Sequence, residues 1–187
     1  NTRVLLIETQ LRVMCSSPGR PEPRKTAVIS LYLKVAYTAF VCVLVPVYWV
    51  EYGPANFLWG SDIALFVTLV ALWTESRLLA SMMAIGILLP EMVWTIDLVL
   101  RMVFGPEAIP MAGTGYMFDT DIPLWILGLS SFHLALPVIL VWLLYRLGYH
   151  RKALLWQTLV AWLILPISYA VSDPSANINW VHGFGYE

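Results

Sequence analysis

Ionisable side chains lie within or beside the apolar stretches of this chain. Asp62 and His133 each lie next to or near serines, while Glu91 and Asp97 share one apolar stretch. An ionisable side chain in hydrocarbon costs about 2.5–3.5 kcal/mol on insertion scales, so such groups normally face a protein interior or a wet cavity. These residues therefore predict a polar site inside a set of apolar helices.

The first chemistry that fits these residue types is that of an intramembrane hydrolase or acyltransferase. Such a site needs a hydroxyl nucleophile, a base within hydrogen-bond reach, and a group that orients the base. Ser61 could be the nucleophile and His133 the base, and backbone N–H groups beside Gly60 could stabilise an oxyanion. The orienting carboxylate would be Asp62 or Asp97. The sequence has no GxSxG nucleophile elbow.

Three other functions fit the same residues. The many aromatic side chains suit a structural, accessory or pigment-binding subunit of a larger membrane complex, in which His133 could be a single axial haem ligand. Asp62, Glu91, Asp97 and His133 could also form a proton or ion path. A metal site of His133, Asp62 and Glu91 is compatible with ligand type, but the spacing does not indicate one. The sequence identifies no cofactor.

Each of these residues also has a purely structural explanation. Asp97 and Arg101 are four residues apart and could neutralise each other on one helix face. Glu91 follows a proline and could satisfy the interrupted backbone ladder, and His133 could bond a carbonyl or a nearby serine. Glu75, in the short turn TESR, is expected to be solvated or paired with Arg77.

Composition places the chain in the membrane. It has 187 residues, of which 59% are hydrophobic and 12% charged, with a mean hydropathy of +0.74. A soluble domain has about 25% charged residues, so the lipid bilayer is the expected partner. The net charge of −1 gives no sign of nucleic-acid binding.

The apolar pattern predicts an all-α, polytopic membrane helical bundle. Several stretches approach the ~20 residues that span a bilayer. Residues 1–26 are predicted to be an amphipathic interfacial helix with a linker, and residues 27–187 a transmembrane domain. A sixth segment could follow the last residue. Five spans are predicted, the third interrupted at Pro90 and Glu91: residues 27–50, 57–73, 78–104, 124–145 and 153–171.

Loop charge predicts the orientation. Placing the N-terminus inside puts nearly all Lys and Arg residues on the cytoplasmic side. At 1.5 Å per residue, Asp62 then lies roughly 6–8 Å below the outer face and His133 roughly 15 Å below it. Glu91 falls near the midplane. Asn177, Asn179 and the loop GTGYMFD are expected to cover these groups from outside, so that Glu91, Asp97 and the two asparagines contact a substrate or ion.

Several strings resemble bacterial proteins that are described only as membrane-associated. The strings are YGPANFLWGSDIALF, LLASMMAIGILLPEMVW, TGYMFD, SSFHLALPVILVWLLYRLGY and NINWVHGFG. The resemblance covers about residues 32–185 and implies a multi-pass protein of the bacterial inner (cytoplasmic) membrane. It implies no reaction.

A second resemblance concerns the histidine element. His133 followed by Leu-Ala-Leu-Pro is similar to the histidine of the six-helix androgen-induced-protein-like hydrolases and their acyltransferase relatives. Those proteins carry a Thr or Cys nucleophile on an early helix, a position that would fall near Ser61 or Asp62 here. This resemblance implies a lipid-directed hydrolase with His133 as the base.

Overall fold

The computed structural model describes residues 29–107 and 113–183. Helices are the only regular secondary structure in this part of the chain, which contains no strand. The amphipathic helix expected within residues 1–26 lies outside the described residues. Short 3-10 turns connect the helices, at Pro54–Leu58, Gly115–Phe118, Pro174–Ala176 and Ile178–Trp180. The α-helices of the described part are α1 Leu31–Glu51, α2 Gly60–Thr74, α3 Arg77–Phe104, α4 Leu124–Leu129, α5 Phe132–Leu147 and α6 Ala153–Val171.

Within the described residues, four helical segments are long and apolar enough to cross a membrane, namely α1, α3, the α4–α5 pair and α6. The chain thus has the character of a multi-pass membrane protein. Four of the five predicted spans agree with this finding. The remaining one is α2, whose 15 residues extend about 22 Å at the helical rise. Because hydrocarbon is about 30 Å thick, a fifth span stays a prediction.

Several helix bounds differ from the sequence prediction, and α1 begins only at Leu31. Phe57 belongs to a 3-10 turn, so α2 begins only at Gly60. Pro90 does not interrupt the third segment, because α3 continues through it to Phe104. A proline removes one backbone donor, and the bonds on either side of it can still hold the helix together. The fourth segment divides at Ser130 and Ser131 into α4 and α5.

Helix α3 lies at the centre of the bundle and packs against α2, α5 and α6. Fully buried side chains such as Leu72, Ala80 and Leu140 fill the space between α2, α3 and α5. Helix α6 contributes little to this core, since only Ala153 and Ser168 are buried in it. Its outer face is apolar, with Trp162 77% exposed, as expected for a helix that contacts lipid.

A polar corner joins the start of α1 to the tight turn between α2 and α3. Glu75 adopts a left-handed conformation there, with φ of 51°. Its Oε1 accepts hydrogen bonds from Lys34 Nζ at 2.9 Å and from the Ile29 amide at 3.0 Å. The Glu75 carboxylate is therefore paired with Lys34. The sequence had predicted that it would be solvated or paired with Arg77. The two hydrogen bonds, that of Lys34 first, lower the pKa of Glu75.

Replacing Glu75 by Gln should lower the free energy of unfolding by about 0.5–1 kcal/mol at neutral pH, because a partly solvated ion pair is lost. The folded-state pKa is below the ordinary value of 4.5, so the contribution is complete above that value. It disappears as the pH falls through the lowered pKa. Thermal unfolding in detergent, measured for both proteins across this range, checks the difference. Glu51→Gln, an exposed glutamate, is the control and should change little.

Candidate functional site

A cavity of about 630 Å³ lies at one end of the bundle. Helices α2, α3, α5 and α6 form its walls, and the segments that precede α2, precede α4 and follow α6 cover it. The cavity brings together residues that are far apart in sequence. Six of the seven predicted site residues line it: Ser61, Asp62, Glu91, His133, Asn177 and Asn179.

A carboxylate–imidazole pair joins α3 to α5 at this cavity. His133 Nδ1 lies 2.9 Å from Glu91 Oε2 and 3.1 Å from Oε1. The Glu91 side chain is only 2% exposed and that of His133 14%. Sequence analysis assigned the orienting carboxylate to Asp62 or Asp97, and the structure instead gives Glu91 this position.

Aromatic rings fix the plane of the His133 imidazole. Trp94 stacks against it with ring centroids 4.5 Å apart, and Phe132 with centroids 4.1 Å apart. When Nδ1–H is donated to Glu91, Nε2 of a neutral imidazole is the acceptor. No described residue is hydrogen bonded to Nε2, so this nitrogen is available to a ligand in the cavity.

Ser61 and Asp62 enter the cavity from the first turn of α2. Asp62 is 2% exposed, and its Oδ2 is 3.4 Å from Asn56 Nδ2, at the long end of the hydrogen-bond range. Its Oδ1 is buried without a hydrogen bond among the described residues. The Ser61 hydroxyl likewise makes no hydrogen bond to His133 or to any other described residue. Both side chains therefore have unused hydrogen-bonding capacity.

Asn179 attaches the segment after α6 to the start of α2. Its Oδ1 accepts the Gly60 amide at 2.9 Å, and its Nδ2 donates to Leu58 O at 2.8 Å and to Ser168 Oγ at 3.1 Å. The Gly60 amide is one of the N–H groups that an isolated helix start leaves without a partner. Asn179 thus acts as a structural clamp beside the cavity, although sequence analysis expected it to contact a substrate.

Asn177 holds the same segment together internally. It adopts a left-handed φ of 38°, a conformation that asparagine tolerates better than most residues. Its side chain donates to Gly183 O and accepts the His182 amide. Asn177 therefore shapes the cover of the cavity, and its amide group is already used.

Asp97 lies outside the cavity lining and is fully buried in a separate network. Its Oδ2 is 3.2 Å from Arg101 Nε and accepts both the backbone N–H and the hydroxyl of Thr114. Arg101 also donates to Pro106 O. This arrangement ties the end of α3 to the loop that follows, and it matches the structural alternative of an Asp97–Arg101 pair.

Three polar residues of the lining were not predicted from the sequence, namely Tyr48, Tyr116 and Gln157. Tyr48 and Ser130 share a hydrogen bond of 2.8 Å, and burial raises the pKa of Tyr116 to about 12, although its bond with Ser130 acts in the opposite direction. Gln157 projects from α6 to within contact of Gly86, where a larger residue would collide with it. Gln157 could have been predicted, because it is a carboxamide inside an apolar span. The tyrosines could not, because they resemble ordinary interfacial residues.

No group of three His, Cys, Asp or Glu side chains within residues 29–107 and 113–183 could hold a metal ion. The geometry instead offers an oriented imidazole, a serine hydroxyl and a carboxylate without a cationic partner in the lining of one cavity. Comparisons with family models, with curated proteins and with solved structures found no match to this chain. Fold and site together define a helical protein of multi-pass membrane character, with a cavity that several buried polar side chains line.

Replacing Asn179 by Gly should release the covering segment from α2. Glycine keeps the left-handed φ of 56° without strain, so the effect reports the lost hydrogen bonds, worth about 1–3 kcal/mol when buried groups are left unsatisfied. Hydrogen exchange at the Gly60 amide should become faster. Asn177→Gly is the matched control, since its bonds are internal to the segment. Unchanged protection of Gly60 in the Asn179 variant would contradict the clamp.

Proposed function

We propose that this protein is a membrane-embedded hydrolase or acyltransferase that acts on a lipid-like ester. The observation that carries the proposal is the Glu91–His133 pair, which leaves Nε2 available beside a cavity that Ser61 also lines. An oriented base and a hydroxyl nucleophile are the groups that acyl transfer needs.

In the proposed reaction, Ser61 Oγ attacks the ester carbonyl while His133 Nε2 accepts the hydroxyl proton. The resulting imidazolium is stabilised by Glu91, which keeps the ring in the required orientation. The proton then passes to the leaving alcohol as the ester bond breaks and an acyl-serine forms. Water releases the acid in a hydrolase, and a second alcohol accepts the acyl group in a transferase.

The start of α2 supports this role for Ser61. The first N–H groups of a helix lack intrahelical partners and can stabilise an oxyanion. Ser61 and Asp62 occupy this first turn, and Asn179 uses only the Gly60 amide. Ser61 and His133 are not hydrogen bonded to each other, and such contacts often tighten only when substrate is bound.

The lining supports a lipid substrate. Polar groups near α2 share the cavity with apolar side chains of α6, such as Val160, Ile164 and Leu165. A lipid ester could place its polar part near Asp62 and its chain along α6. The basic loop between α5 and α6, residues 148–152, contacts Ser81 near the start of α3, at the end of the bundle away from Ser61 and Asp62 in the first turn of α2. By the positive-inside rule, the cavity would face outward and the N-terminus the cytoplasm of a bacterial cell.

A second candidate function is a subunit of a larger membrane complex. Helix α6 favours it, because only 6% of its apolar window is buried within the chain. A partner helix could cover this face, and so could lipid. Co-purification of a stoichiometric partner or a visible absorption band would favour this function.

The purified protein should react with a lipid-like fluorophosphonate, a reagent that forms a covalent bond with activated serines. Ser61→Ala should abolish the labelling, because it removes the nucleophile, and His133→Ala should reduce it at least about a hundredfold, because it removes the base. In-gel fluorescence measures both effects. Ser131→Ala and His150→Ala are matched controls outside the cavity lining and should label normally. Absence of labelling in the folded wild-type protein would contradict the proposal.

Replacing Glu91 by Gln should slow labelling at Ser61 by about a hundredfold or more, because an amide neither stabilises the imidazolium nor holds the same tautomer. The protein should remain folded, since Gln can still form a hydrogen bond with His133. Labelling kinetics and thermal unfolding, measured in parallel, separate the two effects. An unchanged labelling rate would remove Glu91 from the proposed mechanism.

A further inference from the structure

The two carboxyl groups at the cavity differ in their partners. Two carboxylates, Asp62 and Glu91, line it, and no Lys or Arg residue is among the described residues of the lining. Glu91 has an imidazole partner in His133. Asp62 has no cationic partner among the described residues, and its one hydrogen bond comes from the neutral amide of Asn56.

The free oxygen of Asp62 points to a missing partner. Asp62 is 2% exposed, and Oδ1 has no hydrogen bond within the described part of the chain. A buried carboxylate oxygen without a partner loses its hydration and gains nothing in exchange. A positively charged ligand in the adjoining cavity would supply the missing interaction.

Aromatic rings line the same cavity as Asp62. Tyr48 and Tyr52 form an edge-to-face pair with centroids 5.1 Å apart, and Trp59 and Trp180 form another with centroids 5.7 Å apart. Tyr116 lines the cavity with them. The faces of tyrosine and tryptophan rings attract cations, and aromatic cages are a recurring way of binding quaternary ammonium groups.

We infer that Asp62 and the aromatic rings of Tyr48, Tyr52, Trp59, Tyr116 and Trp180 form a binding subsite for an organic ammonium group. An inorganic divalent ion fits less well, because it needs several oxygen ligands and the described residues contain no suitable cluster. The ammonium group could belong to a lipid headgroup or to a free amine. This inference concerns binding, so it does not depend on Ser61 chemistry; with that chemistry it would name the headgroup of the substrate.

The first test is direct binding of choline to the purified full chain in an uncharged detergent, measured by calorimetry. Choline should bind saturably, and its neutral isostere, in which a tert-butyl group replaces the trimethylammonium group, should bind at least about tenfold more weakly. Asp62→Asn should weaken choline binding at least about tenfold, because it removes the charge with little change in shape. Equal binding of choline and the isostere would overturn the inference.

Matched variants distinguish the effects of the Asp62 charge and of the aromatic rings from a general loss of folding. Asp121→Asn removes one carboxylate from an exposed loop and should leave choline affinity unchanged. Tyr116→Phe keeps the ring and should retain most of the affinity, while Tyr116→Leu should weaken it severalfold. An Asp62→Asn protein that unfolds at the wild-type temperature and binds choline normally would also overturn the inference.

Two further arms identify the source of the ammonium group and its relation to catalysis. Phosphatidylcholine added to nanodiscs of phosphatidylglycerol should compete with choline if the ligand is a lipid headgroup, and should not if it is a free amine. Ser61→Ala should bind choline like the wild-type protein even though it no longer reacts with fluorophosphonate. If the wild-type protein binds choline but is not labelled by fluorophosphonate, only the proposed acyl-transfer activity is rejected. If it is labelled but does not bind choline, only the ammonium subsite is rejected. If neither choline nor phosphatidylcholine binds, the subsite does not exist.

Discussion

The hydrogen bond between Glu91 and His133 is the constraint on which the site depends. Each side chain lies within an apolar helix, where an ionisable group without a partner is costly. Their contact gives each group a partner and joins α3 to α5, two helices that pack extensively against each other. With Nδ1 engaged and the ring held by Trp94 and Phe132, Nε2 is the one imidazole nitrogen left for chemistry.

The buried polar groups of this bundle fall into two kinds. Asp97 accepts hydrogen bonds from Arg101 and Thr114, and Asn179 uses both ends of its amide between α2, the turn before it, and α6. Such groups hold loops to helices. Asp62 and Ser61 retain capacity that no described residue uses. Unused capacity beside a cavity distinguishes a binding group from a structural one, since natural proteins rarely leave buried polar atoms unsatisfied.

The two proposals place different chemistry at different parts of one cavity. Acyl transfer would use the dyad and Ser61, and recognition of an ammonium group would use Asp62 and the aromatic rings. Serine and aspartate are neighbours in the first turn of α2, so a headgroup held by Asp62 would lie close to the reacting hydroxyl. Enzymes commonly use the binding of a non-reacting part of the substrate to position the reacting group, which increases the reaction rate.

Sequence reasoning was most successful with the length and apolar character of the helices. Apolar runs predicted α1, α3, the α4–α5 segment and α6, and α6 begins and ends where it was expected. The helical rise predicted that Ser61, Asp62, Glu91 and His133 lie in the outer half or the middle of the bilayer, and the structure gathers all four around one cavity. Proline was a weaker guide, since α3 continues through Pro90 because its flanking hydrogen bonds are retained.

The sequence by itself determined that this chain forms long apolar helices, because the hydrophobicity and the length of each apolar run set them. It could not determine which carboxylate meets His133. Depth along a helix does not specify which neighbours a helix has or how it is rotated toward them, and those are set by packing between helices. Only the tertiary structure paired His133 with Glu91, placed Asp97 with Arg101, and left Asp62 unpaired beside the aromatic rings.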